Sequence, residues 1–281
     1  MENDYAAIFL NSAFADADPN AALGIVFLFL ARFLPIVAQA PFFGARVLPH
    51  PVKVTFALSV FLLFLPHLLR VMTQPVGFNS LLMLLLLKEV FIGALIGYMI
   101  SLPFLVVQSA GIFIDHQRGG ASLMVNDPAI QNQSSPLGTL FNYLLIILFF
   151  SIDGPGRVFD ILLDSYTLIP PDRFFSGEFF ARDAPFWIMQ TTLFNKFMTL
   201  AIQLASPALL IILMTDVFLG IANRLAPQVQ ITFLGMPLKS LLGLMIVWFG
   251  LYLFKSEILR QTVMWINMIK EMVSLFTPSP I

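Results

Sequence analysis

The chain has 281 residues, of which 58% are hydrophobic and 11% are charged, against roughly 25% charged residues in ordinary globular domains. Its 15 Lys and Arg residues nearly balance 16 Asp and Glu residues, and its mean hydropathy is +0.88. A soluble domain of this length could not bury so much apolar surface, and a nucleic-acid binder needs a basic face. These values exclude an ordinary cytosolic enzyme, a disordered protein and a nucleic-acid-binding protein, and they predict an all-α membrane protein with several spanning helices.

The sequence contains no cysteine, which excludes disulfide bonds, a thiol nucleophile, cysteine-ligated zinc and iron–sulfur clusters. A secretory signal peptide would begin with positive charge, whereas the residues before the first apolar run include the acidic Glu2, Asp4, Asp16 and Asp18. We therefore expect membrane insertion to depend on internal apolar segments.

Three apolar runs occupy the first part of the chain, over approximately residues 22–40, 54–69 and 81–114. The second run has only about 16 residues, whereas a helix needs about 20 to cross a bilayer. Charges interrupt the other two runs, Arg32 in the first and the pair Lys88 and Glu89 in the third. Gly93 and Gly97 form a G-x-x-x-G pattern in the third run, which predicts that another helix backbone approaches closely there.

The least hydrophobic stretch in the middle of the chain spans residues 115–136. Its glycines, amides and prolines predict non-helical backbone. Such backbone persists at membrane depth only where it is buried in protein or lines a water-filled cavity. Two interpretations therefore remain open: a loop that enters or closes a pore, and an ordinary solvent-exposed loop.

The second part of the chain alternates between apolar and amphipathic segments. An apolar run is followed by a predicted amphipathic helix, a polar linker and two further apolar runs, over approximately residues 137–152, 157–168, 170–185, 194–219 and 231–254. Residues 255–276 then predict an amphipathic C-terminal helix, because apolar side chains recur on one face at Ile258, Trp265, Ile269, Met272 and Phe276.

Charged residues lie inside or beside these apolar runs. A charge at the centre of a bilayer costs about 2.5–3.5 kcal/mol even on a lenient scale, so such groups usually face protein, water or each other. We therefore expect several of them to be buried in contacts between helices or between subunits: Lys88, Glu89, Asp216, Arg224 and Lys239. For Asp216 and Arg224 a second interpretation remains, namely charges at helix ends near a turn.

The residues predict no catalytic site, no metal site and no cofactor. The three histidines are far apart in sequence, and neither a zinc-protease motif nor a phosphate- or dinucleotide-binding loop is present. Asp160 and Asp164 are more simply explained as a solvated helix face beside Arg157 than as paired catalytic carboxylates. A small-solute transporter and an intramembrane enzyme remain as alternatives to a pore component.

Three groups of residues, in chain order, together resemble one known family. The first group is Ala40-Pro41-Phe42-Phe43-Gly44 with Pro49 and Lys53. The second is Asp115-His116-Gln117-Arg118-Gly119 with Asp127-Pro128 and Gln133-Ser134-Ser135-Pro136-Leu137-Gly138. The third is Asp216 to Gly220 with Asn223-Arg224-Leu225-Ala226-Pro227-Gln228 and Gly235-Met236-Pro237-Leu238-Lys239. They are similar to motifs of the SctT family of type III secretion export-apparatus proteins, whose flagellar counterparts are called FliR. Flagellar members usually depart from the second group, which favours the injectisome branch.

The resemblance implies a non-enzymatic subunit of the export gate in the bacterial inner membrane, through whose pore unfolded proteins pass. One copy is expected to assemble with about five SctR-like and about four SctS-like subunits, in contact with SctU-like and SctV-like export proteins. Residues 1–185 are expected to be similar to an SctR subunit and residues 186–281 to an SctS subunit, both built from helical hairpins in a single membrane domain. No nucleic acid and no cofactor are implied.

The resemblance also implies a plug loop after the third apolar run, inside the polar stretch 115–136. Carried over by motif, the loop that helps to close the channel comprises Gln117, Arg118, Gly119, Gly120, Ala121, Ser122, Leu123, Met124, Val125, Asn126, Asp127 and Pro128. Its glycines permit tight folding, and Met124 with its neighbours supplies soft apolar bulk for a seal.

Overall fold

A computed structural model describes residues 19–43, 48–120, 135–175, 177–181, 183–225 and 231–275. Within these ranges the chain is built from α-helices, joined by short turns and by 3₁₀- or π-helical segments. In chain order the helices are α1 (Pro19–Gln39), α2 (His50–Val71), α3 (Ser80–Asp115), α4 (Pro136–Ser151), α5 (Gly154–Leu168), α6 (Pro185–Leu225) and α7 (Ile231–Ser274). The all-α membrane fold expected from composition is confirmed.

Four of these helices, α2, α3, α6 and α7, are long and apolar enough to cross a membrane. The expectation that the second apolar run is too short was wrong, because α2 extends through Lys53 and Arg70 to a length of 22 residues. Helices α4 and α5 bend by 73° at their junction and would together make a fifth candidate span.

The two long helices α6 and α7 join segments that hydropathy separates. Helix α6 begins at Pro185, at the end of the polar linker. Helix α7 continues without interruption from the apolar run 231–254 into the amphipathic C-terminal segment. The predicted face of the tail is confirmed for Ile258, Trp265, Ile269 and Met272, which are all buried. Phe276 lies outside the described residues.

The chain divides into two compact units that alternate along the sequence. Unit 1 comprises Met1–Ser101, Asp153–Thr191 and Trp265–Ile281, and unit 2 comprises Leu102–Ile152 and Thr192–Met264. The divisions fall inside α3, α6 and α7. The predicted likeness of residues 1–185 and 186–281 to two subunit types concerns resemblance rather than compactness, and it stays a prediction.

The core of unit 1 is aromatic where α1, α2 and α5 pack together. The ring of Phe29 lies 5.5 Å from Phe61 and 5.9 Å from Tyr166, centroid to centroid. Helix α3 packs on α1 through the two glycines of the G-x-x-x-G pattern. A Cβ at Gly93 would overlap the backbone of Arg32, and one at Gly97 would lie 3.0 Å from the Ile36 Cα. The predicted close approach of a second backbone is therefore confirmed.

In unit 2 the end of α3 packs tightly on the start of α4. A Cβ at Gly111 would lie only 2.5 Å from the backbone nitrogen of Gly138, so both positions require a very small residue. Further along the same pair, Phe104 contacts Phe149 with ring centroids 5.4 Å apart. This close crossing brings the last residue of α3 next to the first turn of α4.

Candidate functional site

One polar site of unit 2 is centred on Asp115, the last residue of α3, whose side chain is 1% exposed. Its Oδ1 accepts a hydrogen bond from Arg118 Nε at 2.7 Å. Its Oδ2 accepts from the Ser135 hydroxyl and, at 2.9 Å, from the backbone nitrogen of Leu137. The Ser135 oxygen in turn accepts from Gly138 N at 3.0 Å and so caps the start of α4. We call these residues the Asp115 clamp.

The clamp has a clear electrostatic basis. A carboxylate at the C-terminal end of its own helix is unfavourable, because the backbone carbonyls there carry partial negative charge. Asp115 escapes this because it also lies at the N-terminal end of α4, where it accepts a free backbone N–H, and because Arg118 neutralises it. One buried carboxylate therefore holds both residue 118 and residue 135.

The backbone turns sharply just after the clamp. Residues His116–Gly120 form a single π-helical turn that contains Gly119 at φ 95° and ψ 10°. This left-handed conformation is unfavourable for any residue with a Cβ, which explains the glycine. The guanidinium of Arg118 is directed to α7, where its Nη1 donates to the Ser240 hydroxyl at 3.1 Å.

The structure describes only the start of the predicted plug loop. Gln117, Arg118 and Gly119 are half-buried, Arg118 and Gly119 lie beside α7, and Gly120 closes the π-helical turn. The remaining members lie outside the described residues: Ala121, Ser122, Leu123, Met124, Val125, Asn126, Asp127 and Pro128. The plug assignment therefore stays a prediction, and its described part is residues 117–120, of which Arg118 belongs to the Asp115 clamp.

A second polar site of unit 2 joins α6 to α7. Asp216 and Lys239 form an ion pair, with 35% and 24% of their side chains exposed. They line a cavity of about 250 Å³ together with Asn223 and Met236. Arg224 is exposed in the last turn of α6, where a positive charge interacts favourably with the helix dipole. A buried contact for Arg224 would need a partner subunit and stays a prediction.

The charges of the first and third apolar runs form a buried network in unit 1. Arg32 of α1 and Glu89 of α3 are both 0% exposed and are joined by a two-point ion pair, in which Arg32 Nη2 lies 2.9 Å from Glu89 Oε1. The same guanidinium donates to the Ser165 hydroxyl at 3.1 Å and lies 4.1 Å from the ring centroid of Tyr166. Because these partners satisfy it inside the chain, Arg32 is tolerated in an apolar helix.

Lys88 carries the extra positive charge of this network. Its Nζ lies 2.6 Å from Glu89 Oε1 and donates to three backbone carbonyls just after α5, those of Pro170, Pro171 and Arg173. Arg32 donates to a neighbouring carbonyl, Ile169 O, at 2.8 Å. These carbonyl oxygens lie beyond Leu168, the last residue of α5, and as hydrogen-bond acceptors they partly offset the second cation.

Sequence reasoning missed the partners Ser165 and Ser240, and it included Ser135 in a motif without giving it a role. A lone serine gives no signal in the sequence, because its role depends on which helix lies opposite. The pairing of Arg32 with Glu89 had a weak signal, since each is a charge inside an apolar run and needs an opposite charge. Among the described residues, no group of three or more His, Asp or Glu side chains could hold a metal ion.

Comparison with known proteins agrees with the motifs. The chain matches the family described as "Bacterial export proteins, family 1" over residues 23–263, which is most of its length. It is 29% identical to Yop proteins translocation protein T of Yersinia pestis over 197 residues, covering 70% of this chain and 72% of the relative. It is 29% identical to surface presentation of antigens protein SpaR of Salmonella typhimurium over 246 residues, covering 87% and 86%.

A flagellar relative is similar to the same degree. The flagellar biosynthetic protein FliR of Pectobacterium carotovorum is 29% identical over 216 residues, covering 76% of this chain and 79% of the relative. The match to the family extends across both units and includes the Asp115 clamp, the Asp216–Lys239 pair and the buried network of Arg32. The chain therefore belongs to the bacterial export proteins of family 1, as a multi-pass membrane subunit of the type III export apparatus in the SctT and FliR family.

Proposed function

We propose that this subunit forms part of the export gate of the inner membrane, without enzymatic activity, and that residues 117–128 help to plug its closed channel. Unfolded proteins would pass through the pore once the plug is displaced. The relatives named for translocation, for surface presentation of antigens and for flagellar biosynthesis support an export subunit over the alternatives of a solute transporter or an intramembrane enzyme.

The observation that carries the plug proposal is the Asp115 clamp. Asp115 binds both Arg118 and Ser135, so the two residues that flank the intervening segment are held close together. Fixing both ends in advance lowers the entropy lost when such a segment settles in one position. The segment also contains apolar Leu123, Met124 and Val125, which are suited to excluding water and ions.

We further propose that the assembly follows the family pattern, with several SctR-like and SctS-like subunits and with SctU-like and SctV-like proteins nearby. Large apolar side chains of α6 and α7 are exposed in the single chain, including Met214, Phe218, Trp248 and Phe249. Only 6% of the apolar window of α7 is buried. Such surface needs either lipid or neighbouring subunits to cover it. We propose the injectisome branch on the motifs of the Asp115 region.

The test uses the complete complex, produced with its SctR-like and SctS-like partners, and measures ion leakage through the membrane together with complex yield. Deleting residues 119–125 is expected to increase leakage while the complex still assembles. Asp115→Asn is expected to act in the same direction, because it keeps the size of the side chain but weakens the bond to Arg118.

The matched control is Asp164→Asn, since Asp164 is an exposed acid of unit 1 whose ion pair with Lys270 spans 3.3 Å. This control is expected to leave leakage unchanged. If the deletion variant assembles in normal amount and the membrane stays tight, the plug assignment is wrong.

A further inference from the structure

Two consecutive residues of α7 contact two different segments. Lys239 forms the ion pair with Asp216 of α6, and Ser240 accepts the hydrogen bond from Arg118 in the π-helical turn after α3. One turn earlier on α7, Met236 lies beside Gly119, so that a Cβ at Gly119 would be 3.9 Å from the Met236 Cγ. A single turn of α7 therefore contacts both α6 and the residues that follow Asp115.

The geometry of a helix couples these contacts. Consecutive side chains on an α-helix are separated by about 100° and by a rise of about 1.5 Å, so neither can move far without the other. Lys239 is held from α6, and the Lys239 backbone continues directly into Ser240. A rotation or shift of α7 that separates Lys239 from Asp216 therefore also changes the position of Ser240 relative to Arg118.

Arg118 is also the cationic arm of the Asp115 clamp. Its Nε binds Asp115 while its Nη1 binds Ser240, so the guanidinium is shared between the clamp and α7. Loss of the serine hydroxyl leaves one donor of a half-buried guanidinium without its acceptor, which favours other positions of the side chain. The order of contacts is thus Asp216, Lys239, Ser240, Arg118 and Asp115, and it runs through residues of unit 2 alone.

We propose that Lys239 and Ser240 are positioning residues that transmit the pairing of α6 with α7 to Arg118, and through it to the base of the proposed plug. The inference rests on the proposed function, because it gives the plug a second attachment besides the Asp115 clamp. Separation of α6 from α7 would loosen Arg118 without any change in the carboxylate of Asp115. A part-exposed ion pair of this kind is expected to shift the open fraction by about two- to fivefold.

The first test measures ion leakage of the assembled complex. Asp216→Asn and Ser240→Ala are each expected to raise leakage by about two- to fivefold. Ser240→Thr keeps the hydroxyl and is expected to retain normal leakage. Exchange of the two charges, Asp216→Lys with Lys239→Asp, is expected to restore part of what Asp216→Asn loses. Combining Arg118→Ala with Ser240→Ala is expected to add nothing to Arg118→Ala alone, because both remove one contact.

The matched control lies on the same helix and in the same unit. Glu257→Ala removes an ion pair between neighbouring turns of α7, in which Arg260 Nη2 lies 2.7 Å from Glu257 Oε1. It leaves in place the contact of Lys239 with Asp216 and the contact of Ser240 with Arg118. It is expected to leave leakage unchanged. If it raises leakage as much as Ser240→Ala does, the effect belongs to α7 in general and the proposal is overturned.

The second test does not depend on the plug. The chain has no cysteine, so Arg118→Cys with Ser240→Cys introduces the only two thiols of this subunit. Cysteine is shorter than arginine, so a short bifunctional thiol reagent replaces the guanidinium as the link. Adding Asp216→Asn to this pair is expected to lower the cross-linked fraction at least about twofold, because it removes the ion pair that holds Lys239 to α6.

The two tests separate the inference from the function on which it rests. An unchanged cross-linked fraction after Asp216→Asn would overturn the transmission, even if deletion of residues 119–125 makes the membrane leak. A reduced cross-linked fraction with no leakage in any variant, Arg118→Ala included, would support the transmission from α6 to Arg118 and would refute the plug assignment. Reduced cross-linking together with raised leakage supports both.

Discussion

Replacing Glu89 with alanine is expected to destabilise the protein by about 3–5 kcal/mol, the usual cost of removing one partner from a buried ion pair. Glu89 is 0% exposed and is the acid shared by Arg32 and Lys88. Its removal leaves two positive charges buried within a few ångströms of the same place. The cost arises mainly from these stranded cations rather than from the lost attraction itself.

The contacts show where the loss falls. Arg32 loses its two bonds to Glu89 and keeps Ser165 and the Ile169 carbonyl, so the guanidinium is left with neutral partners only among those contacts. Lys88 keeps three backbone carbonyls and is less affected. Glu89→Gln retains an acceptor of the same shape, so it is expected to cost less, about 1–3 kcal/mol.

The assay is denaturant unfolding of the purified complex in detergent, followed by tryptophan fluorescence. Trp187 and Trp265 report on unit 1, and Trp248→Phe removes the tryptophan of unit 2. The control is Asp164→Ala, which breaks an ion pair whose side chains are 45% and 63% exposed and is expected to cost about 0–1 kcal/mol. If Glu89→Ala costs no more than this control, the buried pair does not stabilise unit 1 and the reasoning fails.

Three further outcomes are expected from the same unfolding measurements, with Trp248 retained as the reporter for the variants of unit 2, Gly119→Ala and Gly250→Ala. Gly93→Ala should destabilise the protein although alanine favours helices, because its Cβ would overlap the Arg32 backbone. Its control, Gly250→Ala, has open space around it and should stabilise by about 0.5–1 kcal/mol. Equal effects of the two substitutions would contradict the close packing of α1 on α3. Gly119→Ala should cost about 1–2 kcal/mol because its φ is 95°, and a neutral result would mean that the turn relaxes. Trp265→Phe should cost about 1 kcal/mol by removing the Nε1 donor to the Met99 carbonyl, and a stabilising result would show that this bond contributes nothing.

The helices were largely predictable, because runs of apolar residues this long have few other solutions in a membrane. Their ends were less so. Hydropathy falls at Lys255, yet α7 continues because nothing near that residue breaks the backbone. A change from apolar to amphipathic sequence indicates that the surroundings of a helix change, but it does not mark the residue at which the helix ends. The same applies at the ends of α2, where Lys53 and Arg70 belong to the helix.

The sites were predictable in kind but not in connection. The sequence indicates that charges at residues 32, 88 and 89 need partners, but the pairing spans 57 residues and depends on how α1 and α3 cross. The bond from Arg118 to Ser240 spans 122 residues and had no counterpart in the sequence pattern. Long-range partners are set by the topology of the helices, which composition and periodicity do not specify.

The alternation of the two units along the chain has a consequence for biogenesis. Unit 1 includes Trp265, whose indole binds the Met99 carbonyl at 3.4 Å, and Lys270, which pairs with Asp164. These residues leave the ribosome after all of unit 2. Unit 1 therefore cannot complete its packing until the C-terminal part of α7 has been synthesised. Until then its early helices lack part of their core contacts and are more accessible to a quality-control protease than in the finished subunit.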